Sequence, residues 1–304
     1  MDMMKTALRE LKKLMPELEV RRSEPMRDHC SFRIGGPVSA MAFPRSAEEC
    51  EYLVQLLAGF DIEPLVIGNG TNLLVSDEPM DMFVITTCDG MGEAELLAET
   101  TLRAGAGITL SRLAVFAREH GLTGLEFAHG IPGSLGGAVS MNAGAYGGEM
   151  KDVVSSVRFL DSDAELFELS GGKLGFAYRR SIFSDTDSVI LDAVIKLAPG
   201  DSEEIGARMR ELSEKRRASQ PLELPSAGST FKRPAQGYAA AMIDGCGLKG
   251  FRIGGAMVSE KHAGFVVNAG GASFDDVIAV MEHVVDTVYK ATGTELEPEV
   301  KIIM

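Results

Sequence analysis

The residues best suited to chemistry in this chain sit in glycine-rich stretches. From Gly124 to Met150 it reads GLEFAHGIPGSLGGAVSMNAGAYGGEM, with seven glycines from Gly130 to Gly148 and no charged residue between those two. Such a run is expected to form neither a packed helix nor a strand, because glycine loses the most backbone entropy on folding and has no side chain to bury. It can instead bring main-chain N–H groups close to one anion. The run predicts a phosphate cradle, with Gly136-Gly137 opening Ala138-Val139-Ser140-Met141. A surface linker is the competing reading, although Leu125, Phe127, Ile131, Leu135 and Val139 are more apolar than linkers usually are. Leu65-Val66-Ile67 runs directly into a second glycine loop, Gly68-Asn69-Gly70-Thr71-Asn72.

Cations for an anionic ligand are concentrated late in the chain. Between Arg208 and Arg252 nine basic residues face four acidic ones, against a whole-chain net charge of −14. MRELSEKRR reads as a solvated helix face, whereas Lys232-Arg233 and Lys249 lie in Gly/Pro-bearing loops that suit an anion better. Of the five histidines none pairs at metal spacing, and only His262 lies in a glycine-bounded segment. Cys30, Cys50, Cys88 and Cys246 are scattered, which predicts thiols and neither a zinc site nor disulfides. No metal is expected. Gly105-Ala106-Gly107 lacks the third glycine of a Rossmann fingerprint, and no GxxxxGK[ST] loop or GxSxG elbow occurs.

Around these loops the pattern predicts a helix over 4–18 and a strand over 39–43. Ser46 is expected to cap a helix running to about Ala58. Strands are expected at 65–67, 83–87 and 101–104, then a helix over 111–120 closed by Gly121. Strands at 153–159, 166–169 and 189–196 follow, with a boundary at Pro199-Gly200-Asp201 and a helix capped by Ser202. The remainder reads as a short helix near 238–246, strands at 256–259 and 264–267, a long helix over 275–292 and a strand at 299–303, the order of a small α+β domain. At 304 residues and 45% apolar content the chain is ordinary for a globular protein. Its apolar runs are too short to span a membrane, its N-terminus lacks a signal-peptide core, and its acidity argues against nucleic acid. A cytoplasmic, monomeric protein is expected.

Two strand-to-glycine loops without GxGxxG resemble those of the UDP-N-acetylenolpyruvoylglucosamine reductase family. The resemblance is carried by Ser31-Phe32-Arg33-Ile34-Gly35-Gly36, by Gly68 to Leu74, by Gly130-Ile131-Pro132-Gly133-Ser134-Leu135-Gly136-Gly137-Ala138 and by Asn142-Ala143-Gly144-Ala145-Tyr146-Gly147. It continues through Tyr178-Arg179-Arg180-Ser181, Ala227-Gly228-Ser229-Thr230-Phe231-Lys232, Leu248-Lys249-Gly250 and Leu296-Glu297-Pro298-Glu299-Val300, in order over residues 25 to 303. The length is similar to that of the shorter subclass, which lacks an inserted tyrosine-bearing loop.

The resemblance implies an α+β fold: an N-terminal helical appendage over 1–20, a vanillyl-alcohol-oxidase (PCMH-type) FAD-binding module of two subdomains over 21–200, and a substrate-binding α+β domain over 201–304. It implies non-covalent FAD, held by Arg33, by Gly68, Asn69, Gly70, Thr71 and Asn72, and by Gly130, Ile131, Gly133, Ser134, Gly136 and Gly137. Asn142, Gly144 and Ala145 complete that set. NADPH is the implied reductant and UDP-N-acetylglucosamine enolpyruvate the substrate. Hydride passes from flavin N5 to C3 and a proton to C2, giving UDP-N-acetylmuramate for peptidoglycan. Arg179 and Glu299 match the family's catalytic arginine and glutamate, and Ser229 its proton donor. Tyr178, Lys232, Arg233, Lys249 and His262 are the implied substrate contacts, with Lys261 beside them, although many relatives carry an amide in place of Arg233. Ser184-Asp185 stands where relatives often have lysine.

Read without the resemblance, each of these residues has a plainer alternative. Arg179 could be an ordinary ion-pair partner, Glu299 a solvated residue opening an edge strand, and Ser229 a turn residue beside Ser226 and Thr230. A different FAD oxidoreductase of the same fold would keep the glycine loops but lack the Ser229 and Glu299 motifs. A catalytically dead nucleotide-sugar-binding scaffold would lose Arg179, Ser229 or Glu299, and all three are present.

Overall fold

The computed structural model describes residues 3–88, 90–184 and 186–304. The chain divides into two compact units. One takes the N-terminal segment to Ser23, Ser39–Asn69 and Met82–Glu214, and the other takes Glu24–Val38, Gly70–Asp81 and Lys215–Met304. The expected division at residue 200 is therefore not the observed one. The second unit draws in two segments that precede residue 82, and the helix Ser202–Ser219 begins in the first unit.

The first unit holds two cores. In one, strands Glu19–Pro25, Pro37–Phe43, Met80–Thr86 and Leu65–Ile67 form a sheet in that order. Helices Met3–Leu14 and Ala47–Ala58 contribute Ala7, Leu11, Cys50, Leu53 and Leu57 to its buried cluster. In the other, Leu166–Ser170, Val154–Leu160, Val189–Lys196, Thr101–Gly105 and Ala94–Ala98 form a five-stranded antiparallel sheet. Strand Val189–Lys196 serves both cores: Val189 and Leu191 belong to the first cluster, Ile190, Ala193 and Ile195 to the second.

Several elements follow local rules. Ser46 accepts the Glu49 N–H at 3.1 Å, as expected of a cap. Gly121, at φ 66°, follows helix Leu110–Glu119 as the expected C′ residue. Other elements correct the reading. The first helix ends at Leu14, and not at residue 18, because Pro16 disfavours helical backbone at Met15. Residues 19–25 are instead a strand, so the helical appendage does not reach residue 20. Asp201, and not Ser202, caps helix Ser202–Ser219: its Oδ1 accepts the N–H groups of Glu203 and Glu204 at 2.9 and 3.0 Å. Ser202 Oγ donates to the Arg118 carbonyl at 2.7 Å.

In the second unit Arg252–Ile253, Ala256–Val258 and Val266–Asn268 form a three-stranded antiparallel sheet. Helix Phe274–Thr292 packs on it through Val277, Val280, Met281, Val284 and Val288, a stripe at i, i+3, i+4, i+7 and i+11. Ser273 and Asp276 form its capping box, and Gly293, at φ 70°, ends it. The last strand, Lys301–Ile303, pairs in parallel with Leu73–Val75, joining segments more than two hundred residues apart. Among the described residues no helix is long and apolar enough to cross a membrane.

Candidate active site

The two glycine loops meet within the first unit. A Cβ on Gly68 would lie 1.9 Å from Ser134 Oγ and 3.1 Å from its Cβ, so any larger residue would displace that hydroxyl. Ser134 is 2% exposed, and its Oγ is a buried polar atom with no hydrogen-bond partner among the described residues. A buried hydroxyl is nearly always bonded, so this orphan fits a cofactor oxygen delivered to the loop junction. Against the expectation of no packed helix in the glycine run, Leu135–Ser140 is a short helix after Ser134, and its first N–H groups are partly committed. Leu135 donates to the Ile108 carbonyl at 2.9 Å and Gly136 to that of Ala106 at 2.8 Å. The cradle is thus narrower than the sequence suggested, because these two amides do not point at an anion. Gly136 is tightly packed instead, since a Cβ there would lie 3.0 Å from that of Ala106.

The end of the same stretch is a hairpin. Gly144-Ala145 pairs with Gly148-Glu149 across Tyr146 and Gly147, at φ 54° and 92°. Positive φ at both central residues is the two-residue hairpin signature. Asn142 precedes it at φ 45°, 1% exposed. Its Nδ2 donates to Glu149 at 3.0 Å and to the Ala177 carbonyl at 2.9 Å, and its Oδ1 accepts the Lys151 N–H at 2.9 Å. Glu149 in turn holds Lys151 Nζ at 2.7 Å, and that hydrogen bond, with smaller help from Asn142 and the Arg179 charge, keeps its carboxyl below the usual range.

Arg179 occupies the tight turn from Ala177 to Arg180, which exchange N–H···O bonds of 2.8 and 3.2 Å. Its φ of 53° places a non-glycine residue in left-handed backbone. The guanidinium lies half-buried, with Nη1 3.4 Å from the Gly144 carbonyl and Cζ 5.5 Å from the exposed Tyr178 ring. Beside it Ser181 Oγ and Ser184 Oγ both donate to the Ser140 carbonyl, at 2.7 and 2.6 Å. Asp185 lies outside the described residues.

In the second unit the segments carrying Ser229 and Glu299 run side by side outside any strand, and the last strand begins at Lys301, not at the expected residue 299. Phe231 bridges Pro298, the Glu299 N–H donates to the Thr230 carbonyl at 2.8 Å, and Lys232 N–H to that of Glu297 at 2.8 Å. Asn72 Nδ2 donates to the Glu299 carbonyl at 3.1 Å. The two neighbouring hydroxyl residues differ from Ser229. Thr230 is buried, its Oγ1 accepting the Val266 N–H at 2.9 Å, and the Ser226 carbonyl accepts Ser31 Oγ at 2.6 Å. Ser229 is exposed, one residue after Gly228 at φ 77°. Arg33, at φ 57°, is exposed, while Gly70 packs so tightly that a Cβ would meet the His29 carbonyl at 2.0 Å.

The cationic candidates already have partners. Lys232 pairs with Glu297 at 3.3 Å, Lys249 with Asp244 at 2.8 Å, and Arg233 lies 4.1 Å from the Tyr238 ring centroid. Lys261 Nζ donates to the Arg217 carbonyl at 2.8 Å. His262 is half-buried, and burial, reinforced by the Lys249 charge, holds its pKa below the ordinary histidine value. Its Nδ1 accepts the Gly264 N–H at 3.1 Å, so the neutral ring carries its proton on Nε2. Glu149, Lys151 and Ala177 were not assigned a role from the sequence, because Ala177 acts through its main chain and the other two through side-chain contacts that no motif announces. Among the described residues no cluster of three His, Cys, Asp or Glu could hold a metal.

Residues 38–170 match the family model described as "FAD binding domain", and residues 220–303 that of "UDP-N-acetylenolpyruvoylglucosamine reductase, C-terminal domain". These matches define an FAD-binding oxidoreductase, built of an FAD-binding domain and a C-terminal α+β domain. The UDP-N-acetylenolpyruvoylglucosamine reductase of Caldanaerobacter subterraneus subsp. tengcongensis is 46% identical over 293 residues, 96% of each chain. That of Clostridioides difficile is 43% identical over 290 residues, 95% of each. The crystal structure of UDP-N-acetylenolpyruvylglucosamine reductase from Thermus caldophilus superposes with a TM-score of 0.81 at 33% identity, covering 94% of this chain and 100% of the other. The chain belongs to the UDP-N-acetylenolpyruvoylglucosamine reductase family.

Proposed function

We propose that this protein reduces UDP-N-acetylglucosamine enolpyruvate to UDP-N-acetylmuramate in peptidoglycan synthesis, using NADPH and non-covalently bound FAD. Family membership supports the substrate, and the orphan hydroxyl of Ser134 beside Gly68 supports a cofactor oxygen at the loop junction. When bound, FAD accepts reducing equivalents from NADPH and supplies hydride to C3 of the enolpyruvyl group. The resulting charge spreads from C2 into the adjacent carboxylate and is stabilised where it develops. Arg179 binds that carboxylate through two parallel N–H groups, which a lysine cannot offer. Glu299, in its acid form, donates a second hydrogen bond to the same oxygens. The Ser229 hydroxyl then delivers its proton to C2 and is reprotonated from solvent, so one hydride and one proton together saturate the double bond.

Lys232, Arg233 and Lys249 are assigned to the substrate diphosphate, with Tyr178 and the His262 Nε2–H as further contacts. The pairs Lys232–Glu297 and Lys249–Asp244 are solvent-exposed on both sides. Such pairs contribute only about 0–1 kcal/mol, so a dianionic diphosphate can replace them. The observation that carries the proposal is the main-chain hydrogen bonding on either side of Phe231, which brings the segment of Ser229 onto that of Glu299, while the hydroxyl of neighbouring Thr230 is buried. Ser229→Ala tests it. NADPH should still reduce the flavin at the wild-type rate, while turnover of the enolpyruvyl substrate falls by about 10²- to 10⁴-fold, the usual worth of general acid catalysis. Equal slowing of both half-reactions would remove Ser229 from the proton-donor role.

A further inference from the structure

We propose that Asn142 is a positioning residue for Arg179, a role that rests on the function proposed above. The resemblance assigns Asn142 to the cofactor, yet both its donor and its acceptor groups face protein. The side chain is 1% exposed, and its three bonds, to Glu149, to the Ala177 carbonyl and from the Lys151 N–H, all measure 2.9 to 3.0 Å. A carboxamide that makes these bonds has one donor hydrogen for each carbonyl or carboxylate partner and none left for a ligand. What the bonds join is specific. Glu149 pairs with Gly144 in the hairpin whose Gly144 carbonyl accepts Arg179 Nη1, Lys151 lies in the helical turn just after it, and Ala177 opens the turn that carries Arg179.

Both ends of this tie hold backbone that would relax if released. Asn142 and Arg179 lie at φ 45° and 53°, and left-handed non-glycine residues persist only where their surroundings fix them. Asparagine is among the few residues that tolerate this conformation, because its short side chain can bond locally. The Ala177–Arg180 turn has two hydrogen bonds of its own, and Ala177, Tyr178 and Arg180 are exposed. Asn142 adds a bond from a buried side chain to the Ala177 carbonyl. Misplacing a reacting group by about 1 Å can cost on the order of 10²-fold in rate, so the clamp acts on catalysis without touching substrate.

The test uses the FAD-loaded enzyme and Asn142→Ala, with Asn142→Asp as an isosteric second variant should the first fail to fold. Aspartate keeps the acceptor for Lys151 but turns an oxygen towards Glu149 and the Ala177 carbonyl. Hydrogen exchange at the Ala177 and Arg180 amides should accelerate at least about tenfold, while that of strand Val154–Leu160 stays unchanged. Flavin reduction by NADPH should be unaffected and substrate turnover should fall about 10- to 100-fold. In an Arg179→Ala background the Asn142 substitution should cost no further turnover, because the residue it positions is gone. Unchanged exchange at the turn would overturn the proposal, as would a loss of turnover that adds to that of Arg179→Ala. If the unsubstituted enzyme does not reduce the enolpyruvyl substrate, the proposed function fails, and the exchange measurement still decides whether Asn142 holds the turn.

Discussion

At the scale of single residues, Ser134 differs from its neighbours in the site: its buried hydroxyl has no hydrogen-bond partner among the described residues. Ser134 Oγ is buried and orphaned, so Ser134→Ala should leave the apoprotein as stable as before while weakening FAD binding about 10- to 100-fold, the worth of a hydrogen bond to a charged group. Fluorescence titration of apoprotein with FAD checks this, and an unchanged affinity would show that the hydroxyl faces no cofactor oxygen. Gly68→Ala should yield colourless protein, because its Cβ would meet Ser134 Oγ at 1.9 Å. His262 gives a pH prediction. Its folded pKa lies below the ordinary value of 6.5, so below that pH the unfolded chain takes up the proton more readily and stability falls with pH. His129, also lowered mainly by burial, acts with the same sign. His262→Asn, which keeps an acceptor for the Gly264 N–H, should therefore shrink, without abolishing, the drop in urea midpoint between pH 7 and 5.5. An undiminished drop would contradict a buried neutral His262.

At the scale of elements, the sequence was most legible where the signal is local. Ser46, Gly121 and the valine stripe of Phe274–Thr292 follow from caps and periodicity alone. Glu19–Pro25 did not show itself as a strand, since EVRRSEP has a single aliphatic side chain and forms the edge of its sheet. Ala94–Ala98 escaped for a similar reason, as an exposed edge with Leu96 and Leu97 facing solvent. The N-terminal helix carries a testable difference between appendage and core. Leu11 is 2% exposed within the cluster that includes Leu53 and Phe83. Leu11→Ala should cost about 2–5 kcal/mol, as core truncations do, measured by urea denaturation. A loss under about 0.5 kcal/mol would return the helix to the status of a surface addition.

At the scale of the whole chain, local grammar gave way to long-range pairing. The parallel pair Lys301–Ile303 with Leu73–Val75 assigns the segment Gly70–Asp81 to the second unit, and no periodicity in either segment announces it. The catalytic candidates were legible because each sits in a distinctive motif. The Asn142 tie was not, because Ala177 lies 35 residues away and accepts through its main chain. The acidic balance of −14 leaves local loops to supply every cation for an anionic ligand.

A single-turnover experiment tests the proposed reaction most directly. NADPH-reduced enzyme, freed of nucleotide and mixed anaerobically with UDP-N-acetylglucosamine enolpyruvate in D2O, should turn yellow again within one turnover. Each molecule of UDP-N-acetylmuramate should then carry one solvent deuteron at C2, and Ser229→Ala should slow both events together. Reoxidation without product, or product lacking deuterium at C2, would contradict it.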